Sequence, residues 1–104
     1  MKKVRITVLK QAKYVDLIKK YENPIEHACD LKVGDVFISC NAQKPENLCD
    51  SAWESMEKFV KKLADGDGNF FNGWMKNKYS AMISCNDGFR PVSFLLETLD
   101  EDAD

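Results

Sequence analysis

The stretch from Ser51 to Ala64 most constrains what this chain can fold into. Its residues Ala52, Trp53, Met56, Phe59, Val60, Leu63 and Ala64 recur at the spacing of one helix face, with Glu54, Glu57, Lys58, Lys61 and Lys62 between them. A stripe of that width has to be buried against another element, so the rest of the chain must supply a surface to receive it. Ser51 and Glu54 carry the S-x-x-E spacing of a capping box, in which hydroxyl and carboxylate satisfy backbone N–H groups that have no partner inside the helix. The pattern predicts a helix over residues 51–65, stopped by Gly66 or Gly68.

The receiving surface reads as strands. In Lys3 to Leu9, Val4, Ile6 and Val8 alternate with Arg5 and Thr7, the period of a half-buried strand. A short apolar run, Val36 to Cys40, follows Gly34-Asp35 as a second strand. Tyr79 to Cys85 alternates apolar with small or polar residues, and Arg90 to Leu99 sets Val92, Phe94 and Leu96 on one face. Asn86-Asp87-Gly88 between these last two is a hairpin signal, with Gly88 expected to take a positive φ. A second helix is expected over residues 11–22, where Tyr14, Leu17, Ile18 and Tyr21 repeat at helical spacing among lysines and Asn23-Pro24 ends the run.

The order β-α-β-α-β-β predicts an α+β fold: a two-layer domain with a mainly antiparallel sheet of about four strands and two helices packed on one side. The whole of residues 1–99 forms one domain in this reading, since 104 residues match the commonest domain size and no repeat divides them. Residues 100–104, with four acids, read as a solvated acidic tail. Leu95, Leu99 and Met82 fall on the reverse face of the last strands, which predicts partial cover there by the aromatic loop around residues 67–75 or by a second subunit in a homo-oligomer.

Composition excludes several function classes. With 44% hydrophobic and 31% charged residues the chain is too apolar to be disordered, and its apolar runs are too short to span a membrane. The opening MKKVRITVLK lacks the apolar stretch and cleavage site of a secretory signal, so the cytoplasm is the expected compartment and its four cysteines are expected as reduced thiols. Residues 1–20 hold seven Lys/Arg against Asp16 alone, but these cations fall on both faces of a strand and a helix. That distribution argues against nucleic acid, which needs a basic stripe.

Few motifs carry chemistry. Asp65-Gly66-Asp67-Gly68-Asn69 opens like a calcium loop, yet the glycine needed at its sixth position is Phe70 and the glutamate needed at its twelfth is Lys76. Cys29, Cys40, Cys49 and Cys85, with His27, are ligand types that suit zinc or an iron-sulfur centre, but their spacing lacks the paired C-x2-4-C pattern of structural zinc sites. His27 with one of the thiols would be the general base and nucleophile of a thiol-dependent enzyme. Cys49, just before the helix expected at 51–65, faces the positive end of the helix dipole, which favours a thiolate. Trp53 and Trp74 are candidates to floor a ligand pocket; Trp53 also fits the core stripe. In Cys85-Asn86-Asp87-Gly88-Phe89-Arg90-Pro91-Val92 the thiol and the guanidinium flank the turn, and Arg90 is expected at the mouth of a pocket where it meets an anion or Asp87.

Five segments together resemble a family of small uncharacterised proteins found mainly in anaerobic bacteria and archaea: KKVRITVLK, the C-x4-G-x2-F of Cys29 to Phe37, CDSAW from Cys49 to Trp53, GNFFNGWM from Gly68 to Met75, and CNDGFRPVSF. The similarity spans nearly the whole chain. The most specific element is a C-x-D-G-x-R-P-V-x-F pattern, matched by Cys85, Asp87, Gly88, Arg90, Pro91, Val92 and Phe94. The resemblance implies that Cys29, Cys49 and Cys85 stand at motif positions and converge on a metal or redox-cofactor site, with His27 or water as a fourth ligand; Cys40 has no counterpart in the pattern. One departure is Asp30, where the pattern places a proline after the first cysteine. The resemblance carries no activity.

The leading expectation is a cytoplasmic binding or accessory protein with a cysteine-containing site beside Arg90 that holds a metal or a small anionic molecule. The alternatives are a thiol-dependent enzyme or redox protein using Cys49 or Cys85, and a self-associating structural module.

Overall fold

In the computed structural model, residues 1–24 and 31–102 are described. Along the chain run β1 (Lys2–Gln11), α1 (Val15–Tyr21), β2 (Val36–Ser39), α2 (Asp50–Ala64), β3 (Ser80–Ser84) and β4 (Val92–Asp102). The four strands form one sheet in the order β2-β1-β4-β3, every neighbouring pair antiparallel, so the architecture is the expected α+β fold. Both long strands lie at its centre, which pairs the beginning of the chain with its end.

One face of the sheet receives α2. Val4, Ile6 and Val8 of β1, Phe94 and Leu96 of β4 and Ala81 of β3 are fully buried, together with Ala52, Met56, Val60 and Leu63 of the helix. Trp53 is buried in the same cluster. The helix ends in a Schellman motif: Gly66 has φ +82° and donates its N–H to the Leu63 carbonyl at 3.0 Å, while the Asp67 N–H reaches the Lys62 carbonyl at 2.9 Å. At the other end the expected capping box is absent. The helix begins at Asp50, with extended Cys49 as its N-cap and no side-chain cap, so Ser51 and Glu54 lie too far inside the first turn for the exchange.

The first helix differs more. The strand β1 continues to Gln11, and Ala12 and Tyr14 donate their N–H groups to the carbonyls of Pro91 and Phe89, both at 2.9 Å. These bonds keep residues 12–14 out of the helix and shorten α1 to seven residues, none of them buried. Its apolar stripe is therefore not part of the core. The tail is corrected as well: β4 runs through Asp102, opposite Lys2, and Asp100, Glu101 and Asp102 make ion pairs with Lys2 and Lys3 at 3.4–3.8 Å.

The aromatic loop turns back on α2 rather than covering the reverse of the sheet. Phe70 packs edge-on against Phe59 with ring centroids 5.1 Å apart. Asn69, Phe71 and Asn72 all adopt left-handed φ values of 53–54°, and Phe71 is 74% exposed. A Cβ on Gly68 would collide with the Lys78 backbone carbonyl, which explains why a glycine stands where the loop closes. Two substitutions test this packing by chemical denaturation. Leu63→Ala is expected to cost about 2–5 kcal/mol, as for other fully buried leucines, and Gly68→Ala about 1–3 kcal/mol because the backbone must move. A loss under about 0.5 kcal/mol for either would contradict the packing described.

Candidate functional site

A cleft lies where the β3-β4 loop, the N-terminus of α2 and the segment before it meet beside β2. It has a volume of about 890 Å³ and is lined by Cys49, Ser51, Cys85, Asp87 and Arg90, with Leu48, Ala52 and Val92 among its apolar walls. Leu48 and Val92 belong to the buried core, so the floor is fixed by the same packing that holds the helix on the sheet. Asn86 joins two sides of the cleft by donating its side-chain N–H to the Ser51 carbonyl at 3.4 Å.

The CNDGFRPV loop is built differently from a glycine-centred hairpin. Gly88 is not among the residues with positive φ. Asp87 makes the turn instead: its Oδ1 accepts the N–H groups of Phe89 at 2.8 Å and Arg90 at 3.3 Å, an Asx-type arrangement. The Asp87 carboxylate is thus engaged by backbone rather than by the Arg90 guanidinium. Arg90 reaches the other way, and its Nη1 donates to Glu22 Oε1 at 2.6 Å, with side-chain exposures of 24% and 14%. Glu22 directly follows α1, so this half-buried pair, with the two backbone bonds from Ala12 and Tyr14, fastens that helix to the loop.

Cys85 is half-buried, and its Sγ accepts the Val92 N–H at 3.3 Å. Cys49 is exposed, with its Sγ 3.7 Å from the Ser51 hydroxyl. Because the α2 N-terminus has no side-chain cap, the backbone N–H groups of its first turn remain donors beside the cleft. Lys44 also lines it and binds Asp50 at 2.7 Å. That hydrogen bond, reinforced by the lysine charge, holds the Asp50 carboxyl below its ordinary value.

Four of the residues singled out from sequence, Cys49, Cys85, Asp87 and Arg90, therefore share one cleft. Trp53 is instead in the core, and Trp74 sits on the aromatic loop edge-on to Phe71, 5.3 Å between centroids. Neither lines the cleft. Cys40 is exposed just after β2. His27 and Cys29 lie outside the described residues, and among the described residues no three His, Cys, Asp or Glu side chains group so as to hold a metal ion. Sequence reasoning missed Glu22, Lys44 and Leu48. Nothing local marks Glu22 as the partner of a residue 68 positions away.

Comparison with family models, with curated proteins and with solved structures finds no match to this chain. Among the described residues no helix is long and apolar enough to cross a membrane.

Asp87→Ala should cost about 1 kcal/mol, because two N–H groups lose a charged acceptor at a solvent-accessible loop, while Asp87→Asn, which keeps the Oδ1 acceptor, should recover most of that loss. Equal losses for the two variants would contradict the turn described. A carboxyl held low in the folded state stabilises the fold above its ordinary range, and that contribution is lost as the pH falls through the lowered folded value. In an NMR titration, Lys44→Met should raise the Asp50 midpoint toward the ordinary aspartate value; an unchanged midpoint would exclude Lys44 as the cause.

Proposed function

We propose that the cleft binds a small organic anion with an apolar body, and that the protein works as a binding or accessory module. The observation that carries this reading is the convergence of unlike groups on one concave surface. Leu48, Ala52 and Val92 offer apolar contact, and the Arg90 guanidinium and the uncapped first turn of α2 offer donors for a carboxylate. Arg90 is recorded giving one N–H to Glu22, and a guanidinium carries five. Lys44 adds a second positive charge to the lining.

A second reading, thiol chemistry, is favoured by one specific observation: Cys49 and Cys85 line the same cleft and both reach solvent. A bound molecule would lie against both sulfurs, so a thiol-dependent enzyme or redox protein would use the same binding surface. The two thiols would also serve as ligands to zinc or an iron-sulfur centre if further ligands came from outside the described residues.

Titration of reduced protein with phenylacetate, followed by amide NMR and by the alkylation rate of each cysteine, tests the first reading. Shifts are expected at Ala52, Cys85 and Arg90, with slower alkylation of Cys49 and Cys85. Arg90→Gln should weaken binding roughly tenfold or more, as expected for loss of a charge-assisted hydrogen bond. Shifts scattered over the surface, with no protection of either thiol, would reject the anion site.

A further inference from the structure

Both cations that line the cleft already have an acidic partner. Lys44 binds Asp50 at 2.7 Å and Arg90 binds Glu22 at 2.6 Å, while Asp35 and Asp87, whose carboxylates accept backbone N–H groups, stand in the lining itself. An incoming carboxylate therefore finds no uncompensated positive side chain, and one of the resident acids has to yield. The two pairs differ in what they offer. The Lys44–Asp50 pair is exposed, so water screens it and an exchange there contributes little. The Arg90–Glu22 pair is half-buried, and a guanidinium in that position attracts a carboxylate more strongly.

Glu22 is also held where the fold can give way. It is the C-cap of α1, whose seven residues are all unburied. The entry to that helix is tied by the backbone bonds from Ala12 and Tyr14 to Pro91 and Phe89, and its exit by the Glu22 side chain. Among the described residues no other side-chain hydrogen bond or ion pair joins residues 14–22 to the rest of the fold. Asp50, by contrast, belongs to α2, six of whose residues are buried.

Building on the anion-site reading above, we propose that the carboxylate of the bound molecule takes the place of Glu22 on Arg90 and so frees the C-terminal end of α1. The unused N–H groups of the guanidinium let the carboxylate make its first bond while Glu22 is still attached. Two carboxylates on one half-buried guanidinium then repel each other, and the one carried by the short helix leaves. Occupancy of the cleft is in this way passed to a helix on the surface. Because the two acids compete for one cation, the coupling is reciprocal: whatever frees α1 from Arg90 also tightens binding.

Titration of the reduced full chain with phenylacetate, wild type against Glu22→Gln, followed by amide NMR, tests this. Glu22→Gln should bind about threefold to tenfold more tightly, since the neutral amide competes poorly for the guanidinium. Asp16→Asn, which removes an exposed acid of the same helix that is not bonded to Arg90, should leave the affinity within about twofold. In the wild type the backbone order parameters of residues 15–21 should fall on saturation from about 0.85 toward about 0.6 or below. In Glu22→Gln they should be low without phenylacetate and change little when it is added, with the β1 amide shifts unaltered as the check that the variant is folded. Wild-type binding that leaves α1 as rigid as before, or Glu22→Gln binding no more tightly than wild type, would overturn the exchange and leave the anion site standing. An equal gain from Asp16→Asn would be a general effect of charge and overturn the exchange as well. Binding by neither wild type nor Glu22→Gln would overturn the anion site, and the exchange with it.

Discussion

The pairing of β1 with β4 is the interaction on which everything else in this molecule depends. It joins Lys2 to Asp102 at one end and Gln11 to Val92 at the other, so closing it orders nearly the whole chain at once. Such long-range closure carries an entropic cost that grows with the length of the loop enclosed. Burial must offset that cost. Val4, Ile6, Val8, Phe94 and Leu96 all project from these two strands onto α2, so the ladder and the helix contact are mutually dependent. At about 1.5–3 kcal/mol for each fully buried large apolar side chain, the five residues supply a substantial share of a small domain's driving force.

The sheet and α2 were legible because their signals are local and repeat. Alternation in Val4, Ile6 and Val8 and helical spacing from Ala52 to Ala64 each identify a buried face, and both faces are buried. The same logic failed for α1. Tyr14, Leu17, Ile18 and Tyr21 have the period of a buried helix, yet the hairpin loop takes the N–H groups of Ala12 and Tyr14 and shortens the helix, and its apolar face stays outside the core. Periodicity reports which residues could share a face; what that face meets is decided by tertiary structure. The C-terminal acids misled for a related reason, since the lysines that hold them in a strand lie at the other end of the chain.

Within the site, residue types were easier to read than partnerships. The sequence placed Cys85 and Arg90 on either side of a turn, and both do line one cleft with Cys49. The pairings differ from expectation because backbone donors compete with side chains. Asp87 sits where two N–H groups point at it and is used as the turn's acceptor, which leaves Arg90 to find Glu22. Trp53 shows the opposite tendency. A large apolar side chain within a helix stripe is drawn into the core, whatever ligand contacts its ring would allow.

These features give the cleft and the open sheet face different mechanical characters. The floor of the cleft is core, but one wall ends in Arg90, whose guanidinium also fastens α1 through Glu22. A ligand that engages Arg90 therefore acts on a helix that buries none of its own residues. Most of the sheet is backed by α2, which packs on β1, β3 and β4. Val36 belongs to both surfaces: it stands opposite Thr7 in the sheet and at the edge of the cleft. It is carried by β2, a four-residue edge strand bonded to the sheet on one side only. An edge strand with a single ladder is the part of a sheet that shifts at least cost, so the β2 side of the cleft is its most yielding boundary.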